Sequence, residues 1–356
     1  MRNLIKGIVL VNIVALSFAC NKDTVEEENL GPQKSNIQQF ITVNRDAGSD
    51  AYSMSFTKQG HWKIYKGTSP ETIDNSTVVA ETSESSIEIT GLDSQKRYYF
   101  EVVYNDKEKT IVSETGLALE GQKNFRDLGG IISQNGKSVK WGKVFRSGEL
   151  NNLTDADVQY IGSVNISKLV DFRDNSEIEE APDNIPEGIE TINIPIKQTV
   201  FNHNMIASWL IMNDSLVFDT LLVAVNKQFV RDFQNEYSGF FDLLETGESN
   251  LFHCTAGKDR TGLATVLFLS ALDVDKETII EDYLASNEYN TEMIEQTIEY
   301  VNSQGLNGEL LRPILEVRLK YIEAAYEVID NEYGGMANYL DLLGVDREKL
   351  KSLFLE

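Results

Sequence analysis

The stretch that decides the fold runs from Asn250 to Leu272 and reads NLFHCTAGKDRTGLATVLFLSAL. Leu251 and Phe252 have the look of the end of a buried strand, and Leu263 to Leu272 is an apolar helix. Between them His253 to Gly262 must form a tight loop. Strand, tight loop, helix is the layout that aims several backbone N–H groups and a helix N-terminus at one anion.

Each residue type in the loop has a physical job. Cys254 would sit in the positive field of those amides, so its thiol is expected to ionise at neutral pH or below. A thiolate is a good nucleophile toward phosphorus and a workable leaving group afterwards. Arg260 lies six positions later, and curling the loop brings its guanidinium beside a bound phosphate. Its fork can hold two oxygens at once, which Lys cannot do. The backbone amides from Thr255 through Ala256, Gly257 and Lys258 complete the cradle, and Gly257 allows the sharp turn. Thr261 is placed to donate its hydroxyl to the departing sulfur, and His253 is expected to orient the loop. Lys258 either adds a second positive charge beside the phosphate pocket or stands as a solvated rim charge.

Cys254, five residues, Arg260 and then Thr261 resembles the signature of the cysteine-based protein tyrosine phosphatase superfamily. Further motifs occur in order: NFRDLGG from Asn124, FRSG from Phe145, Asp171-Phe172-Arg173 with Glu177, the loop itself, Asp282-Tyr283-Leu284, and Tyr333-Gly334-Gly335 with Tyr339-Leu340. Together they resemble the bacterial tyrosine/serine phosphatase family, which includes secreted enzymes with phosphoprotein and phosphoinositide activity. The resemblance covers roughly residues 119–356. It implies hydrolysis of a phosphomonoester through a cysteinyl-phosphate intermediate, with no metal and no cofactor. It also implies that Asp171, of the D-x-R motif, is the general acid. Asp259, inside the loop, is the second candidate, and Asp127 is expected to pair with Arg126 or to cap local structure. Gln198 to Val230, with Phe201, Met205, Trp209, Leu210 and Phe218, is either a helical lid or ordinary packing helices.

Working outward, the chain from residue 118 to 356 alternates strand-like and helix-like runs. Ser167 to Asp171 is a short strand, and Leu153 to Ile161 is a helix with Thr154 as its N-cap. Phe229 to Leu244 has helical spacing, and Pro313 to Phe354 is largely helical. This predicts an α/β domain with a central, mainly parallel sheet flanked by helices, as in protein tyrosine phosphatases. Upstream, residues 36–117 carry short strands with period-two alternation, such as Tyr98, Phe100, Val102 and Tyr104. They predict a small all-β sandwich. Leu92 followed by Tyr98 resembles the tyrosine corner of fibronectin type III domains.

The N-terminus reads as a targeting segment. Arg2 and Lys6 precede an apolar run from Ile8 to Phe18, too short to span a bilayer comfortably. Ala19-Cys20 at its end resembles a bacterial lipoprotein signal covering residues 1–19, with Cys20 lipidated; the alternative is a plain cleaved signal. Residues 20–35 are acidic and form a tether. The expected location is the cell envelope, anchored to a bacterial membrane through Cys20.

The formal charge of −24 argues against nucleic acid as a partner, which needs clustered Lys and Arg. It does not exclude a small anion in a local basic pocket. The chain has two cysteines, Cys20 and Cys254, so a thiol redox enzyme lacks a resolving partner. The expected substrate is a phosphorylated protein, phosphotyrosine first with phosphoserine or phosphothreonine behind it. Phosphoinositides or inositol phosphates are the alternative, and a non-catalytic anchored binding protein stands behind both.

Overall fold

Alternation of apolar and polar residues builds the first part of the chain. The computed structural model describes residues 36–212 and 216–356; the signal at 1–19, Cys20 and the tether to 35 lie outside the described residues. Seven strands follow a short 3-10 turn: β1 (Ile41–Asn44), β2 (Tyr52–Phe56), β3 (Trp62–Gly67), β4 (Ala80–Thr82), β5 (Ser86–Ile89), β6 (Tyr99–Tyr104) and β7 (Glu108–Val112). They pair antiparallel into two sheets, in the orders β1-β2-β5 and β4-β3-β6-β7. In β2, Tyr52, Met54 and Phe56 are buried while Ser53 and Ser55 are exposed. Those three meet Trp62, Ile64, Phe100 and Val102 of the other sheet in one shared core. Trp62 stacks on Phe56 with ring centroids 4.6 Å apart. The Tyr98 hydroxyl accepts from the Asp93 N–H at 3.3 Å.

The rest of the chain is α/β. Its strands are β8 (Arg126–Asp127), β9 (Val144–Ser147), β10 (Lys168–Asp171), β11 (Glu190–Asn193) and β12 (Asn250–His253). The helices are α1 (Asp155–Gly162), α2 (Asn175–Glu180), α3 (His203–Met212), α4 (Leu216–Asp232), α5 (Gln234–Leu244), α6 (Arg260–Ala271), α7 (Lys276–Tyr289), α8 (Thr291–Ser303), α9 (Arg312–Leu315), α10 (Leu319–Tyr333), α11 (Met336–Leu342) and α12 (Arg347–Phe354). Sheet order is β11-β10-β12-β9-β8. The first four strands run parallel and β8 is antiparallel to β9.

The central strands alternate between two cores. Val144, Val170 and Phe252 face the larger core with α4, α5, α6 and α10; Phe145, Leu169 and Leu251 face the smaller one with α1. A one-residue slip would exchange the two faces, so the register is strongly specified. Thr154 caps α1 through a capping box with Asp157, as the sequence indicated. Helix α6 is buried on nearly every side and fixes the loop that precedes it. Phe229 to Leu244 is two helices rather than one. The chain breaks at Phe233 (φ −123°, ψ 32°), whose ring edge packs on Phe229.

Charge joins the antiparallel sheets to the α/β part. Arg97 is fully buried and donates to Asp127 at 2.7 Å and to the Glu114 carbonyl at 2.7 Å. The Tyr160 hydroxyl bonds to Glu114. Asp127 thus pairs with Arg97 rather than with Arg126, and it also accepts from the N–H groups of Gly129 and Gly142. Burial pushes the Asp127 carboxyl above its ordinary value, against the pull of Arg97. Such a set holds only while complete, because removing one partner strands a buried charge.

Candidate active site

Strands β9, β10 and β12 end together at Ser147, Asp171 and His253, since these residues are paired in register. The loop from Cys254 to Arg260 therefore rises at the carboxyl edge of a parallel sheet, where ligands of such sheets bind. Its backbone is held open from outside. The Thr255 carbonyl accepts from the Glu149 N–H at 2.9 Å. The Ala256 carbonyl accepts from Asn124 at 3.0 Å and from Asn290 at 3.2 Å. The Gly257 carbonyl accepts from Arg146 at 2.7 Å and from Asn124 at 3.3 Å. Carbonyls tied outward turn the N–H side of each peptide inward. Among the described residues, no backbone carbonyl accepts from the N–H groups of Thr255 through Arg260.

Gly257 is obligatory on two counts. Its φ is +67°, and a Cβ there would lie 2.4 Å from the Ser147 carbonyl oxygen. Arg146 is buried and shares Asp282 with Arg126, at 2.5 Å and 2.9 Å. Burial and then the neighbouring Arg126 bring the Arg146 pKa down to about 10, so it stays ionised at neutral pH.

Arg260 is clamped in position. It gives Glu177 two hydrogen bonds, 2.8 and 2.7 Å, and gives Thr255 Oγ1 a third at 3.0 Å. Burial works against its charge, but attraction to the Cys254 sulfur and to Glu177 outweighs it and raises its pKa above the ordinary value. Glu177 is brought down to about 2, with burial opposing and Arg260 prevailing. Cys254 is buried, 2% exposed, and is the free cysteine of the described residues. The Thr261 hydroxyl is buried and has no hydrogen-bond partner among the described residues, which leaves it available to the sulfur. His253 lies beneath the loop, with Nδ1 3.2 Å from the Cys254 carbonyl and Nε2 3.3 Å from Asp183.

The geometry around Asp171 does not favour the general-acid role expected of it. Both of its oxygens are taken up by Arg173, at 2.9 to 3.1 Å, and the side chain is 2% exposed. A proton donor must carry a proton and reach the leaving group. With both oxygens gripped by a guanidinium and shut in at the sheet edge, Asp171 has none to turn toward a leaving group. Asp171, Asp183 and His253 come close enough together to suggest a cation site. The Arg173 guanidinium, bonded to both carboxylates, already brings positive charge there.

Asp259 is placed differently. One oxygen accepts from Lys258 at 2.7 Å, and the other is buried without a hydrogen-bond partner among the described residues. Lys258 is buried and paired, not a solvated rim charge; it also reaches the Glu316 carbonyl at 3.3 Å. The segment proposed as a lid forms α3 and α4, and Trp209, Leu210 and Phe218 pack with Leu310 and Leu311.

Several site residues carried no role in the sequence reading. Asn124, Arg146, Glu177 and Asp282 stood inside quoted motifs, yet nothing in their spacing said which partner each would meet. Asn290 had no signal at all.

The Tyrosine phosphatase family profile matches residues 117–355. A Cupriavidus necator protein, H16_A0669, provisionally named a tyrosine-protein phosphatase, is 31% identical over 242 residues, 67% of this chain and 88% of that one. The triple specificity protein phosphatase PtpB of Mycobacterium tuberculosis is 27% identical over 268 residues, 64% of this chain and 94% of that one. A tyrosine-protein phosphatase of Nostoc commune is 24% identical over 219 residues, 58% of this chain and 71% of that one. An outward-pinned anion loop around Cys254, a clamped Arg260 and these relatives agree: this chain belongs to the tyrosine phosphatase family.

Proposed function

We propose that this cysteine-dependent phosphatase uses Asp259, not Asp171, as the acid that releases phosphotyrosine. The observation that carries the reading is the free oxygen of Asp259, buried inside the same loop as the nucleophile. The Cys254 thiolate attacks phosphorus and forms the S–P bond while the ester P–O bond breaks. Asp259 transfers its proton to the departing phenolic oxygen. Arg260 and the loop amides hold the oxygens of the phosphoryl group, and Glu177 keeps the guanidinium aimed. Water then attacks phosphorus, gives its proton to Asp259, and displaces the sulfur, which Thr261 steadies as a thiolate.

Phosphotyrosine is preferred over inositol lipids because Lys258, the cation available for a second phosphate, is committed to Asp259. The reading as a non-catalytic binding protein is set aside by the complete Cys254, Arg260 and Thr261 set. In position and composition, residues 1–20 support a lipid anchor on Cys20 at a bacterial envelope, and no helix of the described residues is long and apolar enough to cross a membrane. The two antiparallel sheets and the Tyr98 to Asp93 bond support a fibronectin type III-like module within residues 36–117.

The test is vanadate-sensitive hydrolysis of a series of aryl phosphates. Cys254→Ser should abolish turnover. Asp259→Asn should lose most with leaving groups as basic as tyrosine, whose phenol pKa is about 10, and least with acidic phenols. Asp259→Asn behaving like wild type across the series would overturn the assignment.

A further inference from the structure

Among the buried polar atoms near the loop that lack partners, one oxygen of Asp259 and the Tyr283 hydroxyl belong to residues that flank the first turn of α6. Asp259 is the N-cap of α6 but makes no capping hydrogen bond, and its second oxygen is unpartnered. Tyr283, on α7, is 1% exposed and its hydroxyl is unpartnered among the described residues. Its ring lies against the bare backbone of Gly262: a Cβ there would fall 2.9 Å from two ring carbons. Gly262 is three positions after Asp259, so both lie on the same side of the first turn. Buried polar groups without partners are rare, and a pair of them of opposite hydrogen-bonding sense is rarer.

The cations around Asp259 are spoken for. Lys258 holds one oxygen. Arg260 is bound to Glu177, and Arg146 to Asp282 and the Gly257 carbonyl. Tyr321 of α10 also faces Asp259, but its hydroxyl is engaged with Asp219 of α4 and the Pro313 carbonyl. Burial raises the Tyr283 phenol, and the Asp259 carboxylate adds to it while Arg146 opposes.

We propose that the Tyr283 hydroxyl donates a hydrogen bond to the free oxygen of Asp259 whenever that carboxylate is ionised, which makes Tyr283 a positioning residue for the acid. The inference rests on Asp259 being that acid. The Asp259 side chain is held by hydrogen bonding at one oxygen only, by Lys258, and a turn about that bond would bring its other oxygen to the Tyr283 hydroxyl. The bond forms once Asp259 has given up its proton and steadies the carboxylate that must then take one from water. A donor to the ionised form also lowers the pH at which the acid loses its proton.

The experiment uses the full chain carrying Tyr283→Phe, with kcat followed against pH on an aryl phosphate of basic leaving group. The alkaline limb should move upward by about half to one pH unit, with the melting temperature unchanged. An unmoved limb would leave Tyr283 as core packing and overturn the inference. Asp259→Asn is run beside it. Loss of the alkaline limb there upholds the acid assignment whatever Tyr283→Phe does, whereas a retained limb defeats that assignment first. Should Tyr283→Phe melt early, a vanadate complex of the wild-type enzyme decides. The two oxygens should then stand about 2.5–3.0 Å apart. A separation beyond hydrogen-bond reach overturns the inference.

Discussion

Glu177→Ala removes the clamp on Arg260 without touching the groups that react. It deletes two hydrogen bonds to the guanidinium, at 2.7 and 2.8 Å, and one from Thr255 at 2.5 Å. A hydrogen bond to a charged partner contributes about 1.5–3 kcal/mol. Arg260 keeps longer contacts to the carbonyls of Phe172 and Ile196, at 3.3 and 3.4 Å, so it loses aim rather than position. The expected loss of transition-state stabilisation is about 2–3 kcal/mol, or roughly 30- to 150-fold in kcat/KM. Glu177→Gln keeps an accepting oxygen and should lose only about tenfold. The assay is aryl phosphate hydrolysis with vanadate inhibition, at a temperature well below the melt. That precaution matters because Glu177 also closes the capping box of α2, which contributes about 1 kcal/mol to stability. Titration supplies a second check. Glu177 is held at about 2, below its ordinary 4.5, so its stabilisation is complete above pH 4.5 and drains away as pH falls toward 2. Wild-type melting temperature should fall through that window more steeply than that of Glu177→Ala. Wild-type kcat/KM and vanadate affinity in Glu177→Ala would refute the clamp.

Asp171→Asn leaves Arg173 buried and short of a partner, so stability should drop by about 3–5 kcal/mol in chemical denaturation. The alkaline limb of its pH profile should stay in place, and a vanished limb would restore Asp171 as the acid. Gly257→Ala drives a Cβ to 2.4 Å from the Ser147 oxygen at a φ of +67°. Vanadate binding, followed by calorimetry, should disappear even if the chain still folds. Arg97→Met strands Asp127 and Glu114 in the joint between the sheets and the α/β part. A loss of about 3–5 kcal/mol is expected, and an unchanged denaturation midpoint would show that the joint is not electrostatic.

Much of the local structure was legible because local rules governed it. Thr154 caps α1 as its place before the helix indicated, and the apolar run after Gly262 is the buried helix it had to be. The even alternation of Phe100, Val102 and Tyr104 marked one buried face in β6. The exceptions share a cause. Phe233 is apolar and at helical spacing, yet the chain turns there so that α4 can pack on α10 while α5 packs on the sheet. Asp127 stands beside Arg126 in sequence but across the sheet joint from Arg97 in space, and the nearer cation was the wrong partner.

The amino-acid sequence alone named the candidate nucleophile, the candidate phosphate-holding guanidinium and the cradle between them, because a strand, a seven-residue turn from Cys254 to Arg260 and a helix form one continuous segment. Their geometry follows from chain connectivity and backbone sterics. Which carboxylate is better placed to donate the proton shows only in the tertiary structure. Asp171 and Asp259 are the same residue type, each two positions or fewer from an arginine. What separates them is how each side chain meets its neighbour: Arg173 takes both oxygens of Asp171, while Lys258 leaves one oxygen of Asp259 free. Proton transfer depends on that environment, and the orientation that packing imposes on a side chain and its neighbour has no signature in their spacing.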